Sequence, residues 1–468
     1  MLSKALVKEI INTCLLTGGD FAEVYCDTQT QKYIAVENGV VESVTNSTIK
    51  GVGIRILKGL RSVYGHTNDI AKKSLLGLAS DLAKSFEGEQ ELSVDDFCLI
   101  KHKRVNKVIE SYANLEDSRV ITLLKDANSI IKGYDERIVR VQTNFLTVIQ
   151  DVVIFNSKGE IHKDHREHGR LILSSVAFEN GKVETRFDGP GTQKGFSYFE
   201  NELNYKELAS ENARKVIMML GARECPSGKF SVVIGNGWGG VIFHEACGHQ
   251  LEATSVSKGQ SVFSGMYGQK IGSDIVSAYD DATIANEWGS NNIDDEGYPC
   301  ERKLLIENGI LKGYMVDPFN QRRMPEFRAN GCSRRESYKY EPTSRMSNTF
   351  IAPGKSTVEE IIANTKLGIY AVSFGGGSVQ PATGEFNFGC SEAYLIKDGK
   401  ITEPLRGATL IGKATEILKN IDMVGNDLAL GDGMCGSLSG SVYAAVGQPT
   451  IRLSEIAVGG RGGSIDEF

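Results

Sequence analysis

His244, Glu245 and His249 bring together, within six positions, side chains that can hold a metal and move a proton. Two neutral imidazoles can ligate zinc, and a carboxylate beside the first can deprotonate the metal's water, which is the logic of a zinc peptidase. The spacing departs from HExxH, where ligands four residues apart lie about 40° from eclipsed on one helical face. Here five residues separate the histidines, which on a regular helix sets them about 140° apart, too far round for one ion. A shared metal therefore requires a local deformation: a π-type turn, or a helix ending at Gly248, would swing His249 back. The blander account is that these side chains share an amphipathic helix as satisfied polar groups.

A third ligand is needed. Glu252, three residues beyond His249, could reach the same face and complete a site on one segment. A thiolate from elsewhere is the alternative. Cys435 in GDGMCGSLSG stands out because the glycines at 431, 433 and 436 let its backbone approach a metal closely. Cys247, between the histidines, points elsewhere and reads as helix core. FGGGSV, with Gly375, Gly376 and Gly377 followed by Val379, could offer bare backbone to an extended peptide by strand addition, or could be a glycine bend packed beside the site.

The site segment, SVVIGNGWGGVIFHEACGHQLEA, reads as strand, glycine turn, then helix. Around it, Asn-Gly or Asp-Gly supplies type I′ hairpin turns at Asn38-Gly39, Asn180-Gly181, Asn308-Gly309 and Asp398-Gly399, so antiparallel sheet is expected in both halves of the chain. Helical patterns run over about 68–87, 116–132, 204–221, 356–365 and 407–419, with Ser356 and Glu359 as a capping box and a further helix at the start before Gly18-Gly19. Strands mixed with isolated helices, without βαβ alternation, predict an α+β fold of antiparallel sheets with flanking helices. GARECPSGKF suggests a boundary, giving an N-terminal α+β domain over 1–225 and a β-rich domain over 226–468 that carries the metal-site helix.

Composition sets the outer limits. The chain has 468 residues, enough for two cores, with 24% charged and 41% hydrophobic residues as in folded globular proteins. A net charge of -7 without basic-aromatic blocks speaks against nucleic acid as a partner. No unbroken apolar run suggests a signal or a span, so no membrane association and a cytoplasmic location are expected. Nine cysteines without a CxxC pair argue against a disulfide framework. Two other groups resemble sites. His162, His165 and His168 form an HxxHxxH run, but alternate residues of a strand face opposite sides and charged neighbours suggest a solvated strand or loop. Asp294, Asp295 and Glu296 could hold a hard cation, but read more simply as a charged turn.

The segments HEACGHQLEA, FSGMYGQKIGS, DDEGYPCERKLLIENGILKGYMVD, FGGGSVQPATGEFNF, GDGMCG and VGQPTIRLSEIAVGG together resemble the TldD/PmbA family of metalloproteases, and the likeness extends to ENGVVESV and GVGIRILKGLRSVYGHTND in the first half. The resemblance covers nearly the whole chain and matches the kind of member with an intact HExxxH motif. It implies one Zn2+ per active chain held by His244, His249 and Cys435, with Glu245 as general base. It further implies hydrolysis of peptides or unfolded protein segments, and a homodimer or a heterodimer with a family partner lacking the zinc motif. The competing expectations are a non-catalytic zinc-binding regulatory partner and a zinc amidohydrolase acting on small molecules. A carboxylate beside a ligand favours catalysis, since a structural zinc has no use for it.

Overall fold

The protein is described by a computed structural model covering residues 2–380 and 383–465. All four Asn-Gly or Asp-Gly turns form as expected: Asn38, Asn180, Asn308 and Asp398 have φ between 45° and 49°, each followed by a glycine of positive φ, and each joins two antiparallel strands. The fold is α+β, largely antiparallel, with short parallel pairings.

Five long or medium strands make the first sheet, in the order Arg61–Thr67, Val40–Lys58, Phe21–Glu37, Ile138–Asn156, Glu160–Glu179, with short strands at its margin. Helices bury one stripe each against it. Val7, Ile10, Ile11 and Leu15 of Lys4–Leu15 and Leu75 and Ala79 of Lys72–Ala83 share a core with Val24, Ile54 and Ile56. Val120, Leu124 and Ile131 of Asp117–Lys132 and Ala213 and Val216 of Tyr205–Leu220 share another with Val141, Phe145 and Leu173. These apolar residues recur at helical spacing, which is why the sequence pattern located the elements.

In the second half, Gly228–Ile234, Ile451–Gly459, Thr409–Lys413, Glu385–Lys397 and Leu367–Gln380 pair in that order, and the last pairs back with the first, closing a ring. The closure was not expected: one of its joints is a parallel pairing of Ser231–Ile234 with 368–371, which no hairpin turn announces. A six-stranded sheet lies beside it, with Ala429–Ser437 as an edge strand that, among the described residues, pairs only with Gly440–Gln448. The segment 237–251 touches the ring strand Leu367–Gln380 and both strands of that hairpin, so it lies between the two sheets.

Several local expectations are corrected. The capping box is Thr357 with Glu360, one residue later than Ser356 and Glu359, because Thr357 is the residue whose backbone is still extended. The helix expected over 407–419 is confined to Ala414–Asn420, since 409–413 is claimed by the ring. The HxxHxxH run is a strand but not a solvated one: His162, His168, Asp164, Arg166 and Glu167 are buried. His168 stacks on Tyr443 with ring centroids 3.8 Å apart, and burial pushes its pKa down to about 3. Asp294, Asp295 and Glu296 are likewise buried: Asp294 accepts from the backbone amides of Glu296, Tyr298 and Ser333, while Asp295 and Glu296 are counter-charges for arginines of distant segments. Asp295 accepts from Arg166 at 2.8 Å and from the Arg335 amide at 2.7 Å, and Glu296 from Arg55 at 2.6 Å. Buried charges persist only when paired in this way, so the acidic group joins the two halves of the chain. No helix among the described residues is long and apolar enough to cross a membrane. All nine cysteines are free.

Candidate metal centre

After the strand Gly228–Ile234 the chain turns through a 3₁₀ segment, Gly237–Gly240, and one helical turn, Val241–Phe243. The next five residues, His244–Gly248, form a π-turn in which the His249 amide donates to the His244 carbonyl. This is the deformation the five-residue spacing requires. It sets the two imidazoles edge to face, with centroids 5.2 Å apart. The π-turn ends at Gly248. Its φ of -57° is ordinary for a helix, and what demands a glycine is space, since a Cβ there would lie 2.2 Å from the Met346 sulfur.

Cys435, on the edge strand Ala429–Ser437, completes the group. Its sulfur lies 3.2 Å from His244 Nε2 and 3.3 Å from His249 Nε2. Among the described residues this is the one trio of His, Cys, Asp or Glu side chains with ligand atoms clustered tightly enough to share an ion. Tetrahedral zinc with bonds of about 2.3 Å to sulfur and about 2.0 Å to nitrogen would separate those atoms by about 3.5 Å. The donor set and spacing therefore fit zinc with minor adjustment. Burial raises the Cys435 thiol pKa, but the two imidazoles outweigh it and hold the group well below its ordinary value, favouring the thiolate that binds metal.

Glu252 reaches the other side of His249. Its Oε2 lies 3.2 Å from Nδ1, so it accepts from that nitrogen and leaves Nε2 directed at the sulfur. Burial works against a charged His249, and the adjacent Glu252 carboxylate reverses this, raising its pKa well above the usual range. The structure thus places Glu252 behind the trio as a partner that fixes the ring's tautomer and orientation. Cys247 is fully buried in the second-half core, as expected.

Glu245 sits at the rim, with Oε2 3.9 Å from His249 Nε2 and about a third of its side chain exposed. It lines a cleft of about 790 Å³ with Trp238, Gly375, Gly376, Gly377 and Asp432, and with Arg170 and Arg186 from the first half of the chain. Val379 does not line it, but packs toward the core. From Phe374 onward the glycine strand pairs only with Glu385–Lys397, leaving its other edge without a strand partner among the described residues. Local sequence gave no signal for Arg170, Asp432 or Trp238, since the cleft is assembled from remote segments.

Three family models match in succession: PmbA/TldA metallopeptidase domain 1 over residues 22–86, the central domain over 110–220, and the C-terminal domain over 227–460. A metalloprotease TldD homolog of Haemophilus influenzae is 36% identical over 449 residues, covering 94% of this chain and 93% of that one. The TldD homolog of Buchnera aphidicola subsp. Schizaphis graminum is 35% identical with the same coverage. In fold, the chain is similar to the crystal structure of TldE from Thermococcus kodakarensis, with a TM-score of 0.74 at 17% identity, over 97% of this chain and 99% of that one.

Proposed function

Because the chain belongs to the TldD/PmbA metallopeptidase family, we propose that it hydrolyses peptides or unfolded protein segments at a zinc ion held by His244, His249 and Cys435, with Glu245 as general base. The observation carrying this reading is the convergence of a sulfur from the far end of the chain on both imidazoles of a π-turned segment, beside a partly exposed carboxylate. When bound, zinc would supply Lewis acidity, lowering the pKa of a water and polarising a carbonyl. The chain's own residues do the rest. Glu252 holds His249 in the tautomer that presents Nε2, and Cys435 would bind as the thiolate. Glu245, facing the cleft, accepts the proton of the attacking water and returns it to the leaving amine. Three protein ligands leave a position for solvent, which suits catalysis better than a structural role.

The unpaired edge at Gly375–Gly377 offers backbone donors and acceptors to an extended peptide lying in the cleft. Gly375 tests this well, because a Cβ there would meet nothing closer than 3.7 Å. Gly375→Leu is expected to raise KM about tenfold with little change in melting temperature; an unchanged KM would remove the strand from the binding surface. The same reading treats 1–225 and 226–468 as two domains, supported by a first sheet whose strands all precede residue 193 and other sheets whose strands all follow residue 222. It also takes the protein to be cytoplasmic and to work as a homodimer or with a family partner lacking the zinc motif. Cleavage of an unstructured peptide library, with and without a co-expressed partner, tests the activity and the pairing together. Chelation is expected to abolish that cleavage while the far-ultraviolet circular dichroism persists, because several buried cores hold the fold without the metal. Loss of the spectrum together with activity would make the metal structural.

A further inference from the structure

We infer that Arg345 is a positioning residue for the metal centre, acting with Glu252 to tie the segment that carries His249 to the strand that carries Cys435. This rests on the zinc-site reading above and extends it to residues that touch no ligand atom of the trio directly on the metal side. Arg345 is fully buried. Its Nη2 donates to the carbonyl oxygen of Cys435 itself, and its Nη1 donates at 2.9 Å both to Ser439 Oγ and to the Gly440 carbonyl, in the turn of the same hairpin. Its Nε faces Glu252 Oε1 at 3.9 Å, and neither atom has another partner. The other oxygen of Glu252 is the one that accepts from His249 Nδ1. One guanidinium fork thus grips the cysteine hairpin at three points and pairs in charge with the carboxylate that orients a histidine.

A cation whose task was only to fill the core would be replaceable by an apolar side chain. This one has its donors divided between the two chain segments that must meet at the metal. Such a link settles the relative position of the sulfur and Nε2 during folding, so that less ordering remains to be done when metal binds. His244 has no comparable support, since its Nδ1 is buried without a partner. Control over the site's geometry therefore falls on the His249–Glu252–Arg345–Cys435 connection. Nothing near Arg345 in sequence marks this role; its partners on the cysteine hairpin and at Glu252 are about ninety residues away on either side.

The test is zinc affinity of the full chain, measured by competition with a chromogenic chelator, for wild type, Arg345→Lys, Glu252→Gln and the double variant, with melting temperatures of the metal-free proteins alongside. Arg345→Lys keeps the charge and loses the fork, so zinc binding should weaken about 10- to 100-fold, as should that of Glu252→Gln. Because both act through one connection, the double variant should be weakened by clearly less than the product of the two losses. If Arg345→Lys does not fold, Ser439→Ala takes its place, with zinc binding weakened about fivefold through loss of one contact. Wild-type affinity in the single variants, or losses that multiply in the double, would overturn the inference, and so would reduced melting temperatures without any change in affinity. A wild-type chain that binds no zinc would instead defeat the zinc-site reading, and this inference with it.

Discussion

Glu245→Gln is expected to lower kcat/KM for peptide cleavage by about 10³-fold or more while bound zinc stays at one per chain. The amide keeps the shape of the carboxylate but cannot take a proton, so the loss should fall on kcat. The geometry separates this role from ligation: the Glu245 carboxylate is 3.9 Å from His249 Nε2 and borders the cleft, whereas the trio of ligand atoms closes without it. Activity assays on the purified variant, paired with elemental analysis, check it. If zinc disappears together with activity, Glu245 is a ligand and the division of roles is wrong.

Cys435→Ala is the second variant with a large expected effect. Removing the sulfur leaves two imidazoles from one turn to hold the ion, and zinc affinity should fall by at least about a hundredfold, a larger loss than changes behind the ligands produce. The strand itself should survive, because its position is secured elsewhere: Trp288 Nε1 donates to the Gly433 carbonyl at 2.7 Å, and the Asp432 carboxylate accepts from the Gly191 amide at 2.7 Å. Zinc titration with a thermal melt of the metal-free variant distinguishes loss of a ligand from loss of a fold. Undiminished affinity would return the third position to Glu252, which would have to swing away from His249 Nδ1.

How much of this was legible in the sequence depended on range. The hairpin turns were readable because Asn-Gly and Asp-Gly fix φ locally, and all four form. The π-turn was readable for a related reason, since a five-residue gap between ligands leaves a regular helix no way to present both, and the His249 amide duly bonds to the His244 carbonyl. What escaped were pairings between distant segments. The parallel contact that closes the ring joins apolar strands that no local turn brings together, and the burial of Asp295 and Glu296 against Arg55 and Arg166 comes from residues whose charge alone suggests a surface. Glu252 shows the limit within the site. Spacing allowed it to be a ligand, and only the rotation of the π-turn decides that it meets the opposite ring nitrogen. The π-turn does end at Gly248, but the crowding of that residue by Met346 is invisible from its neighbours in sequence.

The central claim is that two imidazoles and one thiolate from opposite ends of the second half hold a single catalytic zinc. Zinc K-edge X-ray absorption of the zinc-loaded protein tests it most directly. The account predicts one sulfur scatterer at about 2.3 Å together with light nitrogen or oxygen scatterers at about 2.0 Å, the sulfur signal vanishing in Cys435→Ala. A first shell without sulfur, or one with two or more sulfurs, would contradict it.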